Sequence, residues 1–368
     1  MRTKTKKFLF GLLSFALVFT WFQGKPVLAN SEEDFIWEET EYGTARIIDY
    51  VGTKKDVVIP RELGGLPVTE IGYKDAFITN IRPFSNKGLT SVIIPDTVQY
   101  IGAYAFSLNN ITRVVIPDSV IQIGTAAFLG NGLEEVILSN NLKMLAFASF
   151  ANNKIRELVI PDGVEILAMA EFAFNELERV VMSKNIKIIG DLTFVGNNLK
   201  EVFIPKSVVS LSPFAYGINP LEKIVVESPF VNLYFEGFEG GFEFGGEVYD
   251  ELGAFYDFVS DIDISTFDNF MNAWENDQIK LRSFDHLVIY GHENARIYAQ
   301  KTGYTFYDFS EYQPEPEPEQ PSEESATKQQ DVNIEILGDG LSLETSPIQS
   351  FGNIALKGEP KTYKTSFE

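Results

Sequence analysis

The chain has 368 residues, with 30 Lys or Arg against 52 Asp or Glu, which gives a formal net charge of −22. This balance argues against nucleic-acid binding, because phosphate recognition requires a basic surface. The absence of cysteine excludes disulfides, thiolate zinc sites and cysteine nucleophiles, and two histidines leave little scope for a histidine-based metal site or triad. An apolar content of 45% is typical of a globular protein.

Residues 1–29 have the three-part organisation of a secretory signal peptide. A cationic start (2–7) precedes an uncharged apolar run (8–22), and small residues surround a cleavage point after Ala29. A membrane anchor is the alternative, but it needs about 20 apolar residues. Cleavage would leave 25 basic against 52 acidic residues, a net charge of −27, and we expect the mature chain to be extracellular, either secreted or associated with the cell wall.

A repeat of 22 residues organises the middle of the chain. Its most regular columns are Leu89, Ile111, Leu133, Ile155, Leu177, Leu199 and Leu221; Phe106, Phe128, Phe150, Phe172, Phe194 and Tyr216; and Asn109, Asn131, Asn153, Asn175, Asn197 and Asn219. One repeat cannot bury its own apolar residues, whereas stacked copies bury a continuous core. We therefore expect the aromatic column to lie in the core and the Asn column to satisfy backbone groups of the turns.

Each copy begins with a segment that predicts a short strand. The segment Leu-x-x-Val-x-Ile-Pro alternates apolar and other residues, and the proline closes the strand because it cannot donate to the ladder. Small residues at positions such as Gly102, Gly124 and Gly190 favour a bend or a close backbone approach. The sequence predicts a solenoid that is mostly β and irregular.

The repeat resembles the BspA-type leucine-rich repeat of bacterial surface proteins. The segment 116–128 carries the pattern Ile-Pro-x-x-Val-x-x-Ile-Gly-x-x-Ala-Phe, and segments 42–72 and 288–306 are similar to the family's first and closing units. The resemblance implies an α/β-type leucine-rich-repeat solenoid with a parallel β-sheet on its concave face. It also implies a secreted adhesion or binding module without catalytic residues.

The strand residues that point away from the core form two columns that we predict as a ligand-binding stripe. One column is apolar: Ile93, Val115, Ile137, Val159, Val181, Phe203 and Val225. The other is mostly charged: Ser91, Arg113, Glu135, Glu157, Arg179, Glu201 and Lys223. Two alternatives remain open for the apolar column: β-branched residues suit strands in general, or residues 228–286 cover the stripe.

Residues 228–286 break the period with 13 acidic and 14 aromatic residues. They are either an acidic aromatic insertion that contacts a partner, or one or two degenerate repeats with a local helix around 267–274. A calcium site at Asp257, Asp261, Asp263 and Asp268 is disfavoured, because the spacing lacks the Gly and terminal Glu of an EF-hand loop. We predict no metal and no cofactor.

The C-terminal part begins with an extended acidic spacer that contains Pro-Glu repeats. Beyond it, segments 332–336, 341–344 and 351–356 alternate in a manner typical of strands. These segments resemble the start of a WxL domain, a module that attaches proteins non-covalently to Gram-positive cell walls. The Trp-x-Leu tripeptide is absent, so we expect a partial module and a truncated chain.

These observations divide the chain into seven segments. They are a signal peptide (1–29), an N-terminal cap (30–88), regular repeats (89–227), the insertion or degenerate repeats (228–286), a closing unit (287–310), a linker (311–330) and a partial WxL-like domain (331–368).

The leading functional hypothesis is a surface protein that binds an extracellular protein or glycan, and peptidoglycan if its C-terminal module is intact. The alternative is a structural subunit that packs against other surface proteins. A glycosidase acting through two carboxylates is disfavoured, because acidic side chains are solvated far more often than they are catalytic. We predict no nucleic-acid partner and no transmembrane segment in the mature chain.

Overall fold

Short strands separated by turns dominate the computed structural model, as the alternating repeat segments predict. The structure describes residues 30–73, 81–231, 233 and 287–313, with Asn269, Ala273 and the backbone of short strands within 234–282 and 333–344. The predicted signal peptide and nearly all of the predicted linker lie outside the described residues. The chain divides into two compact units, Met1–Pro314 and Glu315–Glu368.

The elements are numbered in chain order. The strands of the first unit are β1 (Phe35–Glu39), β2 (Ala45–Tyr50), β3 (Asp56–Val58), β4 (Glu62–Leu63), β5 (Leu66–Ile71), β6 (Ser91–Ile93), β7 (Tyr100–Ile101), β8 (Arg113–Val115), β9 (Gln122–Ile123), β10 (Glu135–Ile137), β11 (Met144–Leu145), β12 (Glu157–Val159), β13 (Ile166–Met169), β14 (Arg179–Val181), β15 (Ile188–Asp191), β16 (Glu201–Ile204), β17 (Ser210–Leu211), β18 (Lys223–Val226), β19 (Tyr234–Glu236), β20 (Phe242–Phe244), β21 (Glu247–Tyr249), β22 (Glu251–Gly253), β23 (Asp257–Val259), β24 (Lys280–Arg282), β25 (Val288–Gly291) and β26 (Thr305–Asp308). Helix α1 spans Glu293–Thr302, and short 3₁₀ turns span Glu32–Asp34 and Phe309–Glu311.

Each 22-residue repeat forms one coil, and the first coil begins at Leu89. A coil contributes one strand to each of two parallel ladders. The first ladder pairs as β3–β6, β8–β10, β12–β14 and β16–β18–β25–β26. The second runs β2–β5–β7–β9–β11 and then β13–β15–β17. Because the strands are short, turn residues also join neighbouring coils, as the Phe106 N–H does by donating to the Ala127 carbonyl at 2.8 Å.

The aromatic column forms the continuous core that the repeat predicts. Consecutive rings from Phe84 to Tyr216 are stacked with centroids 4.9–6.0 Å apart, close to the spacing of neighbouring strands. The rings from Phe106 to Phe194 are wholly buried, which confirms their predicted core position. Phe84 and Tyr50 extend the stack before the first regular repeat, with their centroids 5.4 Å apart.

The Asn column joins each coil to the one before it. Asn153 is typical: its Oδ1 accepts the Leu133 N–H at 3.1 Å, and its Nδ2 donates to the carbonyls of Phe128 and Phe150, each at 3.0 Å. The predicted role of this column, satisfying turn backbone groups, is confirmed. Asn153 is buried, so these groups have no access to bulk water as a substitute partner.

The glycines of the bend column show why small residues are required there. A Cβ on Gly102 would lie 2.5 Å from the Tyr73 carbonyl oxygen, and one on Gly190 would lie 1.9 Å from the Ala168 carbonyl oxygen. These contacts are far inside van der Waals distance. The predicted close backbone approach is therefore present at both positions.

Polar side chains close the N-terminal end of both ladders. Asn30 Oδ1 accepts the N–H of Val58 on β3 at 2.9 Å. On β2, Arg46 pairs with Glu38 at 2.8 Å and with the buried Glu70 at 2.6 Å. β1 and β4 complete this end by pairing antiparallel to β2 and β5.

The closing unit forms the other end of the first ladder. β25 pairs parallel with both β18 and β26, and α1 connects β25 to β26 before ending at Gly303 in the left-handed conformation. A capping box follows β26: Asp308 accepts the Ser310 N–H at 2.9 Å, and Glu311 accepts the Asp308 N–H at 3.1 Å. The box satisfies a backbone donor of the edge strand and limits its capacity to pair further.

The segment 228–286 pairs differently from the repeats. Its described strands form antiparallel pairs, β19–β22, β20–β21 and β23–β24, and not the parallel pairing of stacked coils. Asn269 and Ala273 have helical backbone, within the stretch where a local helix was an alternative. Three of the four aspartates considered for calcium, Asp261, Asp263 and Asp268, lie outside the described residues.

In the second unit, β27 (Asn333–Leu337) and β28 (Gly340–Glu344) form an antiparallel pair. These strands coincide with two of the three alternating segments predicted there. The third segment, 351–356, lies outside the described residues.

We expect Asn153→Ala to lower the free energy of unfolding by about 2 kcal/mol, because it leaves the buried Leu133 N–H without a partner. It also removes one of the two amide donors to each of the Phe128 and Phe150 carbonyls, which keep Asn131 and Asn175 as partners. Urea unfolding followed by circular dichroism measures the change. Lys154→Ala removes an exposed neighbouring side chain and should change stability by less than about 0.5 kcal/mol. Equal effects of the two substitutions would contradict the assigned role of the Asn column.

Candidate functional site

The predicted stripe lies on the outward face of the first ladder, since the central residue of each short strand points into the core. Leu158, for example, is buried between the exposed Glu157 and Val159. In the apolar column, Ile93 and Val159 are exposed, Val115, Ile137, Val181 and Phe203 are half-buried, and Val225 is buried. Val159 is 48% exposed, the largest exposed fraction in the column.

Val225 is a correction to the predicted site, because its side chain has no exposed surface. In register it lies between Phe203 of β16 and Tyr290 of β25. Tyr290 stacks on Tyr307 at 5.2 Å and lies 5.5 Å from Tyr312. Aromatic residues of the closing unit therefore continue the apolar column beyond the regular repeats, and Val225 belongs to the core.

The charged column is paired at both ends. Arg113 forms an ion pair with Glu135 at 2.9 Å, and Lys223 forms one with Glu201 at 2.5 Å. The Tyr312 hydroxyl also donates to Glu201 at 2.9 Å, so the C-terminal end of the stripe is covered in part.

The centre of the charged column differs from its ends. Glu157 and Arg179 lie side by side in register on β12 and β14, and both are exposed. Among the described residues, neither forms an ion pair. An unpaired acid and an unpaired base thus flank Val159 and the half-buried Val181. These four residues form the open centre, the part of the stripe that can contact another molecule most directly.

A second exposed apolar surface lies on the second ladder and was missed in the sequence analysis. Met144 and Phe147 of the third coil, and Ile166 and Met169 of the fourth, are each 39–51% exposed. We call these four residues the seam patch. The signal was present in columns spaced by 22: Gln122 is followed by Met144 and Ile166, and Thr125 by Phe147 and Met169. Exposed apolar clusters of this kind commonly mark interaction surfaces.

Within the described ranges, no three His, Asp or Glu side chains are grouped so that they could hold a metal ion. In the same ranges, no helix has the length and apolar character that crossing a bilayer requires.

Comparison with known proteins agrees with this architecture. The family model described as "BspA type Leucine rich repeat region" matches six copies within residues 79–173 and 102–222. With its stacked coils and parallel ladders, the first unit contains a leucine-rich-repeat solenoid, as predicted. No curated protein matches the chain at a significant level.

Solved structures of three bacterial leucine-rich-repeat proteins are similar to parts of the chain. A leucine-rich cell surface protein from Faecalibacterium prausnitzii is 26% identical with a TM-score of 0.44, and the match covers 57% of this chain and 56% of that one. A leucine-rich-repeat protein from T. pallidum is 21% identical (TM-score 0.39, coverage 54% and 86%), as is one from Bacteroides ovatus (TM-score 0.39, coverage 56% and 66%). The match thus spans little more than half the length of the first of these proteins.

Two valines of the apolar column, one exposed and one buried, allow the open centre of the stripe to be compared with its covered end. We expect Val225→Ala to lower the free energy of unfolding by about 2 kcal/mol through lost burial and a residual cavity. Val159→Ala, the same chemical change at an exposed position, should cost less than about 0.5 kcal/mol. Denaturant unfolding of the two variants measures both values, and a larger loss for Val159→Ala would contradict the assignment.

Proposed function

We propose that the chain is an exported surface protein whose repeat region binds an extracellular protein or glycan non-covalently through the open centre. The observation that carries the proposal is the unpaired Glu157 and Arg179 beside the exposed Val159. Apolar area supplies affinity, while the two charges select a partner of matching polarity. Stacked rings and Asn bonds fix the strands before binding, which lowers the ordering cost.

The overall charge restricts the partner further. A chain with a formal net charge of −22 repels polyanions over distances of about 10 Å at moderate salt. Neutral or basic partners are therefore favoured, and nucleic acid is not. The proposal assigns no catalytic residue and no cofactor.

The proposal extends to how the protein is held at the cell surface. Residues 1–29 would direct export, and the spacer after the repeat region would separate it from the wall. The resemblance of residues 331–368 to a WxL domain supports attachment to peptidoglycan where that module is complete. Residues 331–368 lack the Trp-x-Leu tripeptide, so the proposal of wall attachment is weaker than that of ligand binding by the repeat region.

The second candidate function is a structural subunit of a surface assembly. The seam patch favours it, because a permanent protein interface requires exposed apolar area before assembly. Binding partners distinguish the two functions. Purified extracellular-matrix proteins or mucin glycans should be captured by an adhesion protein, and proteins of the producing cell's own envelope by an assembly subunit.

The test of the open centre is a binding measurement on arrays of matrix proteins, mucin glycans and purified cell walls. The double variant Val159→Glu/Val181→Glu should bind at least about tenfold more weakly than wild type, because it replaces apolar contact area with two carboxylates that lose water on binding. Val209→Glu places the same charge at an exposed valine before β17 and should leave binding unchanged. Unaltered binding by the double variant would exclude the open centre as the site.

A further inference from the structure

Glu171 is a large acidic residue at a repeat position that is otherwise occupied by small residues. The equivalent residues in the other coils are small: Ala105, Ala127, Ser149, Thr193 and Ala215. The Glu171 side chain is nevertheless wholly buried. Its Oε1 accepts the N–H groups of Ala168 at 2.6 Å and Met169 at 3.0 Å, while its Oε2 has no hydrogen-bond partner within the described structure. Ser149 Oγ, from the neighbouring coil, is likewise buried without a partner there.

The Ala168 N–H has a different partner from its equivalents in other coils. The Gly124 N–H donates to the Ile101 carbonyl at 2.8 Å, and the Ala146 N–H donates to the Ile123 carbonyl at 3.0 Å. By the same register, the Ala168 N–H would donate to the carbonyl of Leu145 on β11. It donates to Glu171 instead.

The second ladder is interrupted at this point. Its pairing is continuous from β5 to β11 and from β13 to β17, but β11 and β13 do not pair. The first ladder is also unpaired here, between β10 and β12. At the junction of the third and fourth coils, unlike the other junctions between regular coils, neither ladder is paired in the described structure. Turn bonds join the two coils there, as the Phe150 N–H does by donating to the Glu171 carbonyl at 2.9 Å.

The surroundings of Glu171 disfavour its charge. Burial raises the pKa of Glu171 to about 7, against the opposing effect of the backbone N–H donors. The charged residues of the flanking strands do not neutralise it: Lys143, Glu165, Lys187 and Asp191 are all exposed, and Glu165 pairs with Lys187 at 2.6 Å. Both protonation states are therefore accessible near neutral pH.

We propose that Glu171 is a protonation-controlled latch between the third and fourth coils. The ionised carboxylate holds the Ala168 and Met169 N–H groups and keeps β11 and β13 unpaired. Protonation makes the carboxyl a weaker acceptor, so the Ala168 N–H transfers to the Leu145 carbonyl and the second ladder becomes continuous.

The latch acts on an exposed surface. Met144 and Phe147 lie on one side of the junction, and Ile166 and Met169 lie on the other, so the seam patch spans it. Pairing β11 with β13 brings the two halves of the patch to the regular strand spacing and changes the surface offered to a partner. Acidification outside the cell would thereby alter the seam patch. This inference does not depend on binding at the open centre.

Methionine methyl NMR on the full chain tests the latch, because Met144 and Met169 flank the junction and Met182 provides an internal reference. The Met144 and Met169 signals should shift with pH with a midpoint near 7. In Glu171→Gln they should stay at their low-pH positions throughout. Glu165→Gln, which removes an exposed carboxylate of the same coil, should titrate as wild type does. Signals that do not titrate in wild type, or that titrate equally in Glu171→Gln, would overturn the proposal.

Stability provides a second measurement with a defined sign. The folded state binds the Glu171 proton more tightly than the unfolded state does, so the stabilising contribution of Glu171 is fully present below pH 4.5 and is lost as pH rises toward about 7. The loss amounts to about 300-fold in the unfolding equilibrium, about 3 kcal/mol at 1.36 kcal/mol per pKa unit.

Urea unfolding of wild type and Glu171→Gln at several pH values measures this loss. In Glu171→Gln, stability should not decline between pH 4.5 and 7 through this group. Glu171→Ala should behave in the same way, and it replaces the Gln variant if that variant fails to fold. Alanine is the residue found in this column at positions 105, 127 and 215. A decline of the same size in both variants and wild type would contradict the latch.

Discussion

The structure depends on the contact between one coil and the next, made by a ring and an amide repeated at a period of 22 residues. Each phenylalanine stacks on its equivalents in the neighbouring coils, and each Asn amide bonds backbone groups of its own coil and of the coil before it. A single coil has no neighbouring ring to stack on and no carbonyl of a preceding coil for its amide to bond, so the coils are stable only as a stack. This periodic contact also fixes which residues point outward, and it therefore determines both exposed surfaces.

The fold could be predicted because its determinants are local in the repeat. The buried columns that contain Phe150 and Asn153 follow a 22-residue period, and this period can be read directly from the residue numbers. The prediction was wrong at Val225, because the residue that covers it comes from beyond the period: Tyr290 reaches the first ladder only after residues 228–286. The aromatic stack likewise extends further than its period indicates, since Phe84 and Tyr50 belong to the N-terminal cap.

The candidate sites were harder to predict, since they depend on departures from the period. Glu157 and Arg179 are unpaired, whereas their neighbours in the charged column form ion pairs. This difference depends on side-chain geometry, which the sequence does not show. Glu171 is visible in the sequence as the one acidic residue in a column of small residues. Its effect on pairing requires the structure, because only there does its carboxylate take the Ala168 N–H away from the ladder. Regular positions form the scaffold, and irregular ones carry the proposed functions.

The two outward faces differ in character. The first ladder presents an apolar column beside charges of both signs, which suits a selective contact. The four residues of the seam patch are all apolar, which suits a contact based on buried area. Both adjoin the junction of the third and fourth coils, since β12 carries Glu157 and Val159 and β13 carries Ile166 and Met169. A change at this junction can therefore reach either face.

Removal of one coil tests the equivalence of the coils most directly. Deleting residues 111–132 removes one full period, whereas deleting 111–121 removes half of one. The account predicts that the full-period deletion keeps its β-sheet circular dichroism and cooperative unfolding, because every Phe and Asn regains an equivalent neighbour. The half-period deletion should lose both properties. Equal tolerance of the two deletions, or unfolding of the full-period deletion alone, would contradict the account.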